Sequence, residues 1–187
     1  PVDKKRLLEI RASGDAVIAG RRTVEADRMS MGLPDTPPER SPRRILISES
    51  GRISTRWKVF HSLGGPIVIF TTPAMDRRVR DELQKNPQVT LHVLKRIRLP
   101  QVLETLRRRY KVRRLVCEGG PQLFRSLLEI GAVDQLHVTM TPRLFGGAEA
   151  PTLTGVSKQF LRTLAEFRLT QCEVLGEECF LTYRNLH

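Results

Sequence analysis

Cysteine is scarce in this chain, with only Cys117, Cys172 and Cys179 among 187 residues. Three is odd and no Cys-x-x-Cys occurs, which argues against a disulfide framework and a structural zinc site. The four histidines, His61, His92, His137 and His187, show no ligand spacing, so no metal is expected. Aromatic residues make up 5% of the chain, which predicts an aliphatic core. No apolar run approaches the roughly 20 residues of a membrane span. The first residues lack the basic, apolar and small-residue segments of a secretory signal. These absences predict a soluble cytoplasmic protein without a membrane partner.

Acidic residues are outnumbered 20 to 32 by Lys and Arg, leaving a net charge of +12 and an expectation of anionic partners. The densest basic run is Arg107, Arg108, Arg109, Lys111, Arg113 and Arg114. Tyr110 is the only aromatic residue within it, so it lacks the stacking platform of a nucleic-acid groove. The run suits the end of a helix, where cations complement the macrodipole, and no nucleic acid is expected.

At 40% hydrophobic the chain can bury a proper core, and its length predicts one domain over 1–187 without internal repeats. Pro1 suits the first helical position, and Leu7, Leu8, Ile10 and Ala12 give that helix an apolar side. Strands are expected at 15–20, 44–48, 66–70, 89–94 and 114–118, with helices at 75–83, from Pro100, and from Pro121 to Ile130. Segment 32–43 holds four prolines and reads as an irregular loop. Gly131 stops the last helix. The chain then finishes in strands, a long one at 135–145 and two near 166–174 and 178–185, with a turn at 176–178. Alternating strands and helices followed by strands predict an α/β fold. Its central sheet is mainly parallel and flanked by helices, with an antiparallel edge added late.

In open α/β sheets ligands bind beyond the carboxyl ends of the strands. Small and hydroxyl residues collect at those exits: Gly20 and Thr23, then Ser48, Ser50 and Gly51, then Thr71 and Thr72. The fifth strand ends in Glu118, Gly119 and Gly120, directly before the helix at Pro121. Glycine lets a ligand approach the backbone, and a helix start offers unpaired N–H groups. The turn is therefore either a phosphate cradle or simply a tight turn. Glu118 is either a ligand acceptor or an exposed strand end. Asp27, four residues after Thr23, is equally an ordinary cap acid. No G-x-G-x-x-G follows a strand, no G-x-x-x-x-G-K-[ST] occurs, and no G-x-S-x-G is present. A dinucleotide-binding Rossmann domain, a P-loop NTPase and a nucleophile elbow are excluded.

Segment 118–147, EGGPQLFRSLLEIGAVDQLHVTMTPRLFGG, resembles the signature of the riboflavin-biosynthesis reductase domain. That domain is a pyrimidine reductase with a dihydrofolate-reductase-like fold, fused to a deaminase in many bacteria and separate in archaea and fungi. Segment 11–27, RASGDAVIAGRRTVEAD, is similar to the family's run from a substrate-binding arginine to a threonine and aspartate that touch NADP. The resemblance implies NADPH as cofactor, a phosphorylated small-molecule substrate and a homodimer built with the late strands. It implies substrate contacts from Arg11 and Glu118. The implied cofactor contacts are Gly20, Thr23, Asp27, Ser48, Gly119, Gly120, Pro121, Gln122, Leu123 and Phe124. Ser50, Arg52 and Thr71 are candidates for the cofactor's 2′-phosphate, and Arg40 and Arg43 for the substrate phosphate.

The chain departs from the family in two places. A first strand and a Ser-Leu-Asp-Gly-Lys-like segment are expected before the opening helix, and nothing like them precedes Pro1. Asp27 is followed by Arg28 and Met29, where the family often has Asp-Asp-Pro. The implied reaction reduces a ribosylamino-pyrimidine 5′-phosphate to its ribityl counterpart, with hydride added at the sugar C1 after ring opening. No histidine falls at a strand exit, so no general acid is assigned. Two other functions are compatible with the residues: a reductase of the same fold acting on a pterin or folate, and a non-catalytic anion- or nucleic-acid-binding module.

Overall fold

The computed structural model describes residues 2–144, 146–147, 150, 152–155, 161 and 164–186. Pro1, the expected helix start, and Phe145, the expected end of a strand, lie outside them. The chain divides into two compact units, Arg6–Gly120 and Pro1–Lys5 with Pro121–His187.

Helix α1 (Val2–Ala12) leads into the first unit. Its sheet contains β1 (Ala16–Gly20), β2 (Arg43–Ser48), β3 (Ile67–Thr71), β4 (Val89–Val93) and β5 (Leu115–Cys117), all parallel, in the order β4-β3-β2-β1-β5. Helices α2 (Arg21–Ala26), α3 (Arg77–Gln84) and α4 (Leu99–Arg109) follow β1, β3 and β4. The expected parallel sheet with flanking helices is present. Strands β1 and β3 are almost continuously apolar, and β2 is apolar between its two opening arginines and Ser48, because both faces are buried, the usual state of central parallel strands. Val17, Ala19, Leu46 and Ile69 pack with Val24 of α2 and Leu83 of α3, while α4 buries Val102 and Leu106.

Helix α2 is an element that the sequence pattern does not announce. It has six residues and buries only Val24, too little for a periodic signal in sequence. Asp15 fixes the entry of β5 beside β1: its carboxylate accepts hydrogen bonds from the Arg113 and Arg114 N–H groups, at 2.7 and 2.8 Å. Those two bonds hold the Asp15 carboxyl below the usual aspartate range.

The second unit contains α5 (Pro121–Glu129), β6 (Gln135–Met140), β7 (Phe167–Leu175) and β8 (Glu178–Asn185). The three strands form an antiparallel sheet of their own, in the order β6-β8-β7. Gly131, at φ +63, turns the chain out of α5, and Gly176, also at φ +63, makes the β7–β8 turn. β6 ends at Met140, five residues short of the expected end, because Pro142 has no N–H for a ladder. The registers place Leu136, Val138 and Met140, then Tyr183, Leu181 and Cys179, then Leu169, Cys172 and Val174 on one face. That face is uncharged and partly bare: Met140, Leu169 and Val174 are 58%, 48% and 67% exposed. Phe180 and Thr182, on the opposite face, are buried. No described helix is long and apolar enough to cross a membrane.

Candidate active site

The exits of β1, β5, β2 and β3 lie side by side because the strands are parallel and in register. Ile18 is opposite both Ile45 and Cys117, Gly20 is opposite Ile47, and Ser48 is opposite Thr71. The backbone extends this row past the strand ends, with Glu118 N–H donating to the Ile18 carbonyl at 3.0 Å and Gly20 N–H to the Gly119 carbonyl at 3.3 Å. The small exit residues picked out in the sequence therefore share one edge.

At that edge Glu118 does not stand alone. Arg11, in the last turn of α1, donates from Nε to one carboxylate oxygen and from Nη2 to the other, both at 2.6 Å. The two side chains are only 8% and 4% exposed. This is the fork-to-fork arrangement that a guanidinium makes with a carboxylate. Arg11 Nη1 also donates to the Gly32 carbonyl. The two candidate substrate residues are thus brought together and neutralise each other's charge.

Segment Ser30–Gly32 is held from its other side by Arg44, a residue whose role is invisible in the sequence. Arg44 is 1% exposed. Its Nε donates to the Gly65 carbonyl at 2.7 Å, and its Nη1 to the carbonyls of Val59, Ser62 and Ser30 at 2.7, 3.1 and 3.4 Å. Nη2 donates to Gln88 Oε1 at 3.3 Å. Carbonyl dipoles from separate loops solvate this cation, and burial pulls its pKa down to about 10, leaving it charged at neutral pH. A Cβ on Gly32 would collide with the Leu63 carbonyl, so the segment is also packed tightly.

Gly119 and Gly120 form a bare turn beside Thr23. Gly119 has φ +93, a conformation closed to most side chains. A Cβ on Gly120 would come within 2.5 Å of Thr23 Oγ1, whereas a Cβ on Gly20 would meet nothing within 4 Å. Ser48 is buried at the exit of β2, and its hydroxyl finds no hydrogen-bond partner among the described residues. Open backbone, an orphaned hydroxyl and a carboxylate already neutralised by Arg11 suit a phosphate-bearing nucleotide cofactor. Burial pushes the Cys117 thiol up, keeping it protonated and unsuited to act as a nucleophile.

The other expected residues have varied surroundings. Asp27 is exposed at the C-terminal end of α2, away from the start of that helix at Gly20. Ser50 and Arg52 are exposed on the turn after β2, and Ser50 Oγ accepts from the Arg52 N–H. Thr71 is buried and donates its hydroxyl to the Ser48 carbonyl at 3.1 Å. Arg40 is exposed in a short turn of Pro38–Arg40. Arg43 begins β2, at the opposite end from the exits, with its guanidinium over the Tyr110 ring. Pro121, Gln122, Leu123 and Phe124 form the first turn of α5, where helix geometry leaves N–H groups without intrahelical acceptors.

Known proteins resemble this arrangement in sequence and fold. The chain is 29% identical over 184 residues to the 2,5-diamino-6-ribosylamino-4(3H)-pyrimidinone 5′-phosphate reductase of Methanothermobacter thermautotrophicus, covering 97% of this chain and 84% of that one. It is 28% identical to the protein of the same name from Archaeoglobus fulgidus, covering 94% of this chain and 81% of that one. Among solved structures, Acinetobacter baumannii RibD superposes with a TM-score of 0.79 at 20% identity. That match covers 98% of this chain and 50% of the RibD chain, so this chain spans half the length of that protein. The family described as the RibD C-terminal domain matches residues 1–181. This chain belongs to the RibD C-terminal domain family.

Proposed function

We propose that the chain is an NADPH-dependent reductase that converts a ribosylamino-pyrimidine 5′-phosphate to the ribitylamino compound in riboflavin biosynthesis. Family membership and the similarity to named pyrimidine reductases support the reaction. The observation that carries the proposal to residues is the buried Arg11–Glu118 pair beside the bare Gly20, Gly119 and Gly120 backbone.

In this reading Gly20, Thr23, Ser48, Gly119 and Gly120 hold the cofactor, and the assignment continues along the chain through Pro121–Phe124. Asp27 remains an assignment by resemblance. The bound cofactor supplies the hydride. Glu118 faces the substrate. A carboxylate offers about four acceptor positions, and Arg11 occupies two of them. The remaining two accept from substrate hydroxyl or amino groups. Arg11 holds the carboxylate in place, so Glu118 is already oriented before substrate arrives. The net charge of +12 favours two polyanionic ligands.

The protein works as a homodimer in this proposal. The second copy covers the uncharged face carrying Met140, Leu169 and Val174. An uncharged face can meet its own copy about a two-fold axis without bringing like charges together. A mass twice the monomer by light scattering is the expected result, and a monomer at micromolar concentration would refute this arrangement.

The test of activity is NADPH oxidation by the full chain with the ribosylamino-pyrimidine phosphate and, separately, with dihydrofolate. Turnover with the pyrimidine alone supports the proposal. Turnover with dihydrofolate alone, or with neither, overturns it. Nicotinamide fluorescence titration should show NADPH binding more tightly than NADH.

A further inference from the structure

Cys172 and Cys179 are not among the residues assigned to the proposed reduction. They lie on β7 and β8, with their Sγ atoms 3.5 Å apart. Cys172 is opposite Leu181 and Cys179 is opposite Val174, so the two are diagonal neighbours on one face of the hairpin. Strand twist shortens one of the two diagonals across such a pair. The hairpin holds the sulfurs in contact, with only residues 173–178 between them, so little further chain ordering is needed to join them.

We propose that Cys172 and Cys179 are a reactive dithiol that closes to an intrachain disulfide by exchange with small-molecule disulfides. The sulfurs must approach from contact to about 2.05 Å, a movement within the range of χ1 rotation at both residues. In a single copy, free of the proposed dimer, Cys172 is exposed and reacts first. Its thiolate, having given its proton to solvent, attacks one sulfur of the small disulfide. A Cys172–S bond forms, and the other half leaves as a thiolate. Cys179 then loses its proton and attacks Cys172 Sγ, forming the Cys172–Cys179 bond and expelling the second small thiolate. Two protein thiols are oxidised, one small disulfide is reduced to two thiols, and the two released protons end on those thiols. The hydrogen bond to Cys172 pushes the Cys179 thiol up, consistent with its acting second. Cys117, whose thiol burial holds protonated, provides an unreactive internal reference.

The experiment treats the reduced full chain with oxidised glutathione across a dilution series, because a second copy over this face would shield the thiols. Free thiols are counted and intact masses recorded. The expected result is a fall from three free thiols to one, a mass lower by two hydrogens, and a single peptide pair joined through Cys172 and Cys179. Cys172→Ser and Cys179→Ser should each stop at a mixed disulfide with one glutathione. Stable addition of two glutathiones to the unaltered chain would overturn the proposal. So would disulfides joining two chains, or retention of all three thiols at every dilution.

Discussion

Arg11 and Glu118, 107 positions apart in sequence, meet in a two-point ion pair with both contacts at 2.6 Å. The pair converts an acid at a strand exit, which would repel phosphates if left bare, into a neutral and oriented acceptor. Removing one partner of a buried pair strands the other charge, at a cost of about 3–5 kcal/mol. Glu118→Gln keeps the shape but leaves a single acceptor oxygen, so one of the two Arg11 bonds is lost and an amide NH2 faces the guanidinium. Its kcat/KM should fall by about 2–4 kcal/mol in transition-state free energy. NADPH affinity should change little, since the cofactor contacts are assigned to other residues. A thermal double-mutant cycle with Arg11→Met should show strong coupling between the two positions. Additive losses, or unaltered kcat/KM in Glu118→Gln, would remove the pair from the site.

Gly120 is bare for a steric reason that can be tested separately from binding. A Cβ at this position sits 2.5 Å from Thr23 Oγ1. Gly120→Val should weaken NADPH binding by about tenfold or more, because bulk on this turn prevents phosphate oxygens from approaching the backbone. Gly120→Ala should lower the melting temperature, and adding Thr23→Ala should recover part of that loss by removing the colliding oxygen. Unchanged NADPH affinity in folded Gly120→Val would show that the turn is not a cradle.

Arg44 gives a prediction about stability. Its guanidinium satisfies carbonyls of Val59, Ser62 and Gly65, the Ser30 carbonyl and the Gln88 side chain. An ammonium has three donors and lacks the planar fork. Arg44→Lys should therefore leave buried carbonyls unpaired and cost roughly 2–4 kcal/mol, at about 1–3 kcal/mol for each unsatisfied group. Denaturant unfolding measures this directly. A change below about 0.5 kcal/mol would mean that the loops hold their positions without the arginine.

The sequence exposed one layer of this design well. β1, β2 and β3 are short, apolar and separated by turn residues, so strand positions and the row of exits could be read without coordinates. The alternating pattern of β6 continues in the sequence past its end at Met140, although Pro142 cannot enter the ladder. α2 is silent in the sequence because six residues with one buried side chain give no period. Arg44 stayed hidden because an arginine at the start of an apolar strand looks like a solvated end, and only the converging carbonyls show otherwise. Arg11 and Glu118 each stand out in the sequence but their pairing does not, since nothing local links the end of α1, whose only buried residue is Arg11 and whose expected apolar side leaves Leu7 and Ala12 exposed, to a strand end 107 positions later.

His92 supplies the pH dependence. In β4 its ring stacks on Phe70, with centroids 4.8 Å apart, and Nε2 lies 2.7 Å from the Tyr110 hydroxyl. Burial, and then the Arg109 charge, lower its pKa below the ordinary histidine value. The folded chain therefore prefers the neutral ring, while the unfolded chain takes up a proton near pH 6.5, about the ordinary value. Stability from this group is fully present above that pH. It is lost as pH falls through the ordinary value, and the loss levels off once pH drops below the depressed folded value. His92→Gln retains a hydrogen-bonding side chain but does not titrate. Melting temperatures of the two proteins, followed from about pH 8 to about pH 5, should converge as the unaltered chain loses its advantage on the acid side. The other three histidines are common to both proteins, so the difference between the curves isolates position 92. Parallel curves across that range would mean that His92 takes up its proton equally well in the folded chain.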